Sequence, residues 1–277
     1  MAATSLEVWG DPIAHSLSPA LHTAAYRHLG WDWTYGRRRV DEERFTAELA
    51  GLDDRFRGLS LTMPLKSAAY RAAARRDARA ELTCAVNTLR LTPDGPIGFN
   101  TDVGGVVAAL REEGMDAVAE ARIVGAGATA TSALVALAEL GAQRVEVAAR
   151  RPLAVAGLEA LGERIGIAVT PVSLAASTFA DVPLTIATLP GDARVATHTA
   201  DGLAGSGGRL LDVVYGHWPT SLSEAWEAAG NRAVSGATML LHQAVLQIRV
   251  FATGDVTEPL PDEQSVVAVM RRALVGG

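Results

Sequence analysis

The sequence predicts an α/β fold, and three observations carry that prediction. Short apolar runs alternate with longer amphipathic ones from end to end, the order expected of parallel strands joined by crossover helices. A glycine-rich run beginning at Gly125 closes one of the strands and opens the next helix. The chain has 277 residues, 49% of them hydrophobic, which gives room for two modest domains or one large one with a sizeable core.

Taken in order, residues 5–10, 34–40 and 58–62 read as strands, with helices near 19–29 and 42–52 between them and another starting at Pro64. Ser18 followed by Pro19 is a good N-cap and N1 pair for the first helix. Residues 86–91 and 97–99 flank Thr92-Pro-Asp-Gly-Pro96, whose turn chemistry predicts a hairpin of two short strands. A helix is expected over 103–113, with Asp102 available as its N-cap. The second series has a strand at 122–125, a helix through Leu140 and a strand at 144–149, then strands at 168–171, 184–187 and 209–213. Helices near 237–252 and 262–274 close the chain, and their apolar faces need a surface to cover. Domains are therefore expected at 1–102, 103–235 and 236–277, the last segment packing back on the first domain.

Composition narrows the function classes. The net charge of −6 argues against nucleic acid, and the basic runs at Arg37–Arg39 and Arg71–Arg79 lack interleaved aromatics, so they read as solvated faces. No apolar stretch is long enough to cross a bilayer, and no basic n-region precedes an apolar h-region, so a cytoplasmic location without membrane contact is expected. The single cysteine, Cys84, gives neither a disulfide nor a cysteine-rich metal cluster, and it reads as a small core residue. No metal is expected.

Ile123-Val-Gly125-Ala126-Gly127-Ala128-Thr129-Ala130 is a G-x-G-x-x-A run between strand and helix. Gly125 permits a tight turn, Gly127 lets the backbone approach a pyrophosphate, and Ala130 lets helix and strand pack closely, with helix N–H groups facing the phosphates. The following strand ends at Ala149 and runs into Arg150 and Arg151, where an NAD-specific site commonly carries an acid. The arginines are either a solvated loop pair or a fork for the 2′-phosphate of NADP, and the charge favours NADP. Glu146 lies within the strand and reads as a side chain on its face.

Among 25 basic side chains the chain has one lysine, Lys66, in Gly58-Leu-Ser-Leu-Thr-Met-Pro-Leu-Lys66. A guanidinium effectively cannot lose its proton in a protein and an ammonium can, so the residue points to proton transfer or is a lone survivor on a solvated helix.

The motifs converge on a known family. The chain resembles the shikimate dehydrogenases through Gly10-Asp-Pro-Ile-Ala-His-Ser-Leu-Ser-Pro19, Leu61-Thr-Met-Pro-Leu-Lys66, Ala85-Val-Asn-Thr-Leu89, Gly98-Phe-Asn-Thr-Asp102, the loop at Gly125, and Gly236-Ala-Thr-Met-Leu-Leu-His-Gln243. The resemblance implies an N-terminal α/β substrate domain, a Rossmann-type parallel-sheet NADP domain, and C-terminal helices on the first domain. It implies reversible reduction of 3-dehydroshikimate to shikimate on the route to aromatic amino acids, by a monomer or homodimer. Lys66 and Asp102 would be the catalytic pair. Ser16 and Ser18 would hold the substrate carboxylate, Thr62, Asn87 and Gln243 its ring hydroxyls, and Tyr215 would line the same pocket. Thr188 and Gly236 would join residues 125–130 and the two arginines at the cofactor. Ser60 and Thr23 stand where asparagine is common in the family, Ala149 and Ala187 where contacts near the cofactor are often polar, and Ala128 where glycine is usual. None of these touches the Lys66–Asp102 pair, so altered affinity rather than lost chemistry is expected. Two competing readings are an NAD-linked quinate or quinate/shikimate dehydrogenase, and a non-catalytic NADP-binding sensor.

Overall fold

The structure is a computed structural model that describes residues 4–275. The described residues divide into two units, one formed by the chain through Gly105 together with the residues from Leu240 on, the other by Val106–Met239.

The first unit is built on a mixed sheet. Its strands are β1 (Thr4–Gly10), β2 (Trp33–Arg39), β3 (Phe56–Leu61), β4 (Arg75–Arg76), β5 (Thr88–Arg90) and β6 (Ile97–Phe99), in the spatial order β2-β1-β3-β5-β6-β4. Strands β1, β2 and β3 are parallel, whereas β5 runs antiparallel to β3 and pairs with β6 as the hairpin that the Thr92–Pro96 turn chemistry predicts. The sheet is therefore mixed, because a short hairpin reverses the chain without a crossover helix.

Helices α1 (Ser18–Leu29), α2 (Phe45–Ala50), α3 (Lys66–Ala72), α4 (Ala78–Thr83) and the start of α5 (Thr101–Glu112) connect these strands. Helix α1 stops at Gly30, which takes the left-handed conformation at φ 69° that its C-cap requires. Leu21, Ala25 and Tyr26 on its inner face pack with Leu6 and Val8 of β1. The short α4 and the two-residue β4 had no periodic signal. Cys84 follows α4 with φ 50° and is exposed, which corrects its reading as a core residue: its side chain lies outside the packed face that carries Ala80 and Thr83.

Helix α10 (Ala237–Thr253), after a first turn that belongs to the other unit, buries Leu241, Ala244, Val245, Ile248, Val250 and Phe251 in the core formed by α1 and β1. Helix α11 (Glu263–Val275) adds Val266 and Met270 to the same core. Room for α10 is made at Gly58 of β3, where a Cβ would lie 2.6 Å from the Phe251 ring and 2.7 Å from the Leu89 carbonyl.

The second unit has six parallel strands: β7 (Glu120–Val124), β8 (Arg144–Ala149), β9 (Ala168–Ser173), β10 (Leu184–Ala187), β11 (Arg209–Asp212) and β12 (Ala233–Ser235). Their order is β12-β11-β10-β7-β8-β9, so the winding direction reverses between β7 and β10. That reversal opens a crevice beyond the C-terminal ends of those two strands, the place where open α/β sheets bind ligands. The connecting helices are α6 (Ala128–Glu139), α7 (Ala156–Ile165) after a 3-10 turn over Pro152–Val155, α8 (Thr197–Ser206) and α9 (Ser221–Ala228). The sequence reading passed over α7, α8 and α9. Helix α8 is rich in Gly, Ser and Thr, and it is held by Ala200, Leu203 and Ala204 against the sheet rather than by propensity. Helix α9 carried a legible start, since the Thr220 side chain accepts from Ser223 N and the Ser223 side chain reciprocates.

Gly58→Ala is expected to lower stability by about 1–3 kcal/mol, because both an aromatic ring and a backbone carbonyl must yield to one methyl group. Urea denaturation measures it, and an unchanged midpoint would mean that α10 has room to shift.

Candidate active site

Lys66 is the first residue of α3, and its backbone is fixed from both sides. Leu65, fully buried, donates its N–H to Thr62 O, and Val86 N donates to Lys66 O. The ammonium is thereby delivered to Asp102, with Nζ 2.6 Å from Oδ2 and the two side chains 17% and 9% exposed. Asp102 sits in the first turn of α5, where the helix dipole favours a negative charge. It is not the N-cap of that helix, as the sequence allowed: Asn100 Oδ1 accepts from Asp102 N at 3.1 Å and takes that role. The other carboxylate oxygen, Oδ1, accepts from Asn87 Nδ2 at 2.8 Å, so both oxygens of the acid are held.

Behind this pair lies a set of buried polar groups that the sequence reading missed. Gln247 of α10 faces Ser60, His22, Thr88 and the Asn87 carbonyl, and Tyr35 of β2 donates from its phenol to Ser60 Oγ at 2.6 Å. His22 stacks on Tyr35 with ring centroids 3.9 Å apart and pairs its Nδ1 with the Tyr26 hydroxyl at 2.9 Å. Burial pushes the His22 imidazole down to about 3, and it pushes the Tyr26 and Tyr35 phenols up. All three rings are therefore neutral near pH 7. A sequence signal existed: a histidine four residues before a tyrosine on one helix face, and a glutamine on the apolar face of α10.

The remaining residues expected at the substrate lie in the same unit, with one exception. Ser18 is buried and is the first residue of α1 rather than its cap; Leu17 occupies the N-cap position without a side-chain bond, and Ser16 Oγ accepts from Ser18 N at 3.3 Å. Ser18 is thus not the cap expected of it, because the helix starts one residue early. Thr62 follows β3, and its methyl would be 2.4 Å from a Cβ at Gly10, which forces glycine there. Gln243, almost buried on α10, donates to Leu240 O at 2.9 Å. Tyr215 belongs to the second unit, in the loop after β11, and is 36% exposed.

In the second unit the loop at the strand-order reversal has the shape a dinucleotide requires. Gly125 adopts φ 113°, and a Cβ there would be 2.6 Å from Thr188 Oγ1. Thr188 follows β10 and donates both its N–H and its hydroxyl to Val124 O, which ties the two strand ends together. Gly127 is the N-cap of α6 and supplies no side-chain cap, while a Cβ built on it would meet nothing within 4 Å. The first-turn N–H groups at Ala128 and Thr129 thus open on space where a phosphate can approach, and Ala130 is fully buried against the sheet. Ala126 is half-buried and Arg150 and Arg151 are exposed at the end of β8. Gly236 lies between β12 and α10 in backbone contact, its Cβ position 2.1 Å from Val213 O. These residues fit NADP: an uncapped helix start for the pyrophosphate, and guanidinium groups rather than an acid after the second strand.

Glu146 takes no part in that loop. It is paired in register with Arg122 of β7 and accepts from its Nε at 2.6 Å. Arg122 is fully buried, donates also to Ser206 and to the Ala180 carbonyl, and lies over the Phe179 ring at 5.1 Å.

A family model described as the shikimate dehydrogenase substrate binding domain matches residues 8–89. A curated relative from Anaeromyxobacter dehalogenans (strain 2CP-1), named shikimate dehydrogenase (NADP(+)), is 38% identical over 96% of this chain and 94% of its own length. The chain belongs to the shikimate dehydrogenase family. Among solved structures of the family, that of Mycobacterium tuberculosis shikimate dehydrogenase superposes with a TM-score of 0.85 at 40% identity, covering 99% of this chain and 100% of the other. The Thermus thermophilus shikimate 5-dehydrogenase in complex with NADP(H) and shikimate gives a TM-score of 0.80 at 29% identity, covering 98% and 99%.

Two outcomes are expected from this geometry. Because His22 stays neutral in the folded chain down to about pH 3 while an unfolded histidine takes its proton near 6.5, stability falls as pH drops below 6.5, by roughly 2 kcal/mol from this residue at pH 5. Urea titrations at the two pH values measure it, and a His22→Gln variant should lack that increment. Glu146→Gln strips a buried guanidinium of its anion and is expected to cost about 3 kcal/mol of stability with no change in the ratio of NADP to NAD affinity. A lost NADP preference would return Glu146 to the cofactor.

Proposed function

We propose that the chain catalyses the NADP-dependent, reversible interconversion of 3-dehydroshikimate and shikimate, with Lys66 and Asp102 as its acid–base pair. The observation that carries this reading is the 2.6 Å contact between a mostly buried ammonium and a mostly buried carboxylate in the unit that the substrate-domain family model matches. The names of the relatives and the complex of the Thermus thermophilus protein with NADP(H) and shikimate support the same substrate and cofactor.

When bound, NADPH would supply the hydride for the carbonyl carbon. Lys66 donates a proton to the carbonyl oxygen as negative charge develops on it, and in the reverse direction takes that proton back. Asp102 orients the ammonium and balances its charge, with no need for a further counter-ion. Ser16 and Ser18 hold the substrate carboxylate, and Thr62, Asn87 and Gln243 of the same unit surround its ring. In the second unit Gly125 to Ala130 receive the pyrophosphate, Arg150 and Arg151 receive the 2′-phosphate, and Thr188 and Gly236 shape the loop beside it. The protein works in the cytoplasm as a monomer or homodimer.

Lys66→Arg keeps a positive charge but cannot cycle a proton, so kcat is expected to fall by roughly a hundred- to ten-thousandfold in shikimate oxidation, with the NADP dissociation constant unchanged. Near-normal turnover in that variant would leave Lys66 with an electrostatic role only. Arg150→Glu is expected to weaken NADP far more than NAD, as read by equilibrium binding of each nucleotide. Equal weakening of both would make Arg150 a scaffold residue.

A further inference from the structure

The proton-transfer pair accounts for Lys66 and Asp102 but not for the way Asp102 is held from behind. Gln247 is 2% exposed and uses every group of its carboxamide. Its Oε1 accepts from Ser60 Oγ at 2.9 Å and faces His22 Nε2 at 3.3 Å, while its Nε2 donates to Asn87 O at 3.2 Å and to Thr88 Oγ1 at 3.1 Å. With two donors and two acceptor sites committed, the amide has one permitted orientation.

Direction then propagates without ambiguity. Thr88 Oγ1, having accepted from Gln247, donates its single proton to Asn87 Oδ1 at 2.9 Å. The backbone N–H of Thr101 donates to the same oxygen at 2.9 Å, and a backbone N–H cannot reverse. Asn87 Oδ1 is therefore an acceptor, and Nδ2 is turned to Asp102 Oδ1 at 2.8 Å. That bond leaves Oδ2 for Lys66.

We propose that Gln247 and Thr88 are positioning residues for the reaction: together with Thr101 they hold the Asn87 amide, and their share is to tighten its placement so that its N–H fixes the Asp102 carboxylate in the orientation that receives Lys66. The proposal rests on the acid–base reading of Lys66 and Asp102. It assigns to α10 a part in catalysis distinct from binding substrate, since Gln247 touches neither member of the pair and acts only through Thr88 and Asn87.

The test is steady-state oxidation of shikimate with NADP by Thr88→Val, Thr88→Ser and Gln247→Met in the full chain, with folding checked by circular dichroism. Valine keeps the shape of threonine and removes the hydroxyl; serine keeps the hydroxyl. Loss of one hydrogen bond from the relay is expected to lower kcat about five- to tenfold in Thr88→Val, with KM for shikimate within about twofold of the parent. Thr88→Ser should restore kcat to within about twofold. Gln247→Met should reproduce the Thr88→Val split, and it decides the question if the valine variant fails to fold. The double variant should lose no more than the worse single one, because both act along one path. A folded Thr88→Val or Gln247→Met with parental kcat, a loss confined to KM, or no rescue by serine overturns the proposal. Asp102→Asn is measured alongside: if it is inactive while Thr88→Val is normal, only the positioning role fails; if it is near normal, the acid–base reading has failed and this one with it.

Discussion

A carboxylate and an ammonium that are both mostly withdrawn from water must be hydrogen-bonded on every side, because an unsatisfied buried charge costs several kcal/mol. Much of the first unit is arranged by that constraint at Asp102 and Lys66. The acid is served by Lys66, by Asn87 and by the Asn100 side chain at its own N–H; Asn87 is served by Thr88 and Thr101; Thr88 is served by Gln247. Five elements, β3, β5, α1, α5 and α10, are tied together through Gln247 and the groups around it. A buried polar network of this sort stabilises only if complete, and all of its buried side-chain polar atoms find partners among the described residues. The arrangement specifies where the pair sits more than it adds to stability.

The second unit solves a different problem with the same means. Its strand order leaves a crevice between the ends of β7 and β10, and Gly125 and Gly127 add no side chain to it. Arg122 and Glu146, which cross the sheet between β7 and β8, lie within the strands and away from the loop, and each neutralises the other there. Ion pairs also reach into the basic runs of the sequence: Arg38 meets Glu7 and Glu48, Arg39 meets Asp11, and Arg71 meets Glu42.

Much of the strand–helix order was legible, because β-branched and apolar runs bounded by turn residues fix β1, β2, β8 and β10 to within a residue or so. Lys66 and Asp102 were legible as a pair only through the motifs around them, since 36 positions separate them and no periodicity joins α3 to α5. The misreadings share a cause. Cys84 and Ser18 were read from residue type, whereas their surroundings depend on where a helix starts or stops, which single-sequence signals place to no better than a residue or two. The signals of Gln247 and His22 were too weak to read for a related reason: each is a polar residue on an otherwise apolar helix face, and the partner that makes it useful comes from another element, 225 positions away in their own case.

Ser60 shows how the network changes the meaning of a residue. Read along the sequence, a serine in place of the family's asparagine shortens a side chain beside the substrate and costs a contact. In the fold its hydroxyl is 3% exposed and occupied on both sides, accepting from Tyr35 at 2.6 Å and donating to Gln247 at 2.9 Å. A hydroxyl has a single proton, so Ser60 has none left to offer a ligand while it serves Gln247. The residue belongs to the support behind Asn87, and the phenol of Tyr35 joins that support to β2. The serine at position 60 and the glutamine at 247 thus form one unit: the shorter side chain on β3 leaves the space that the longer one on α10 fills, and the polar groups of both are satisfied within the protein.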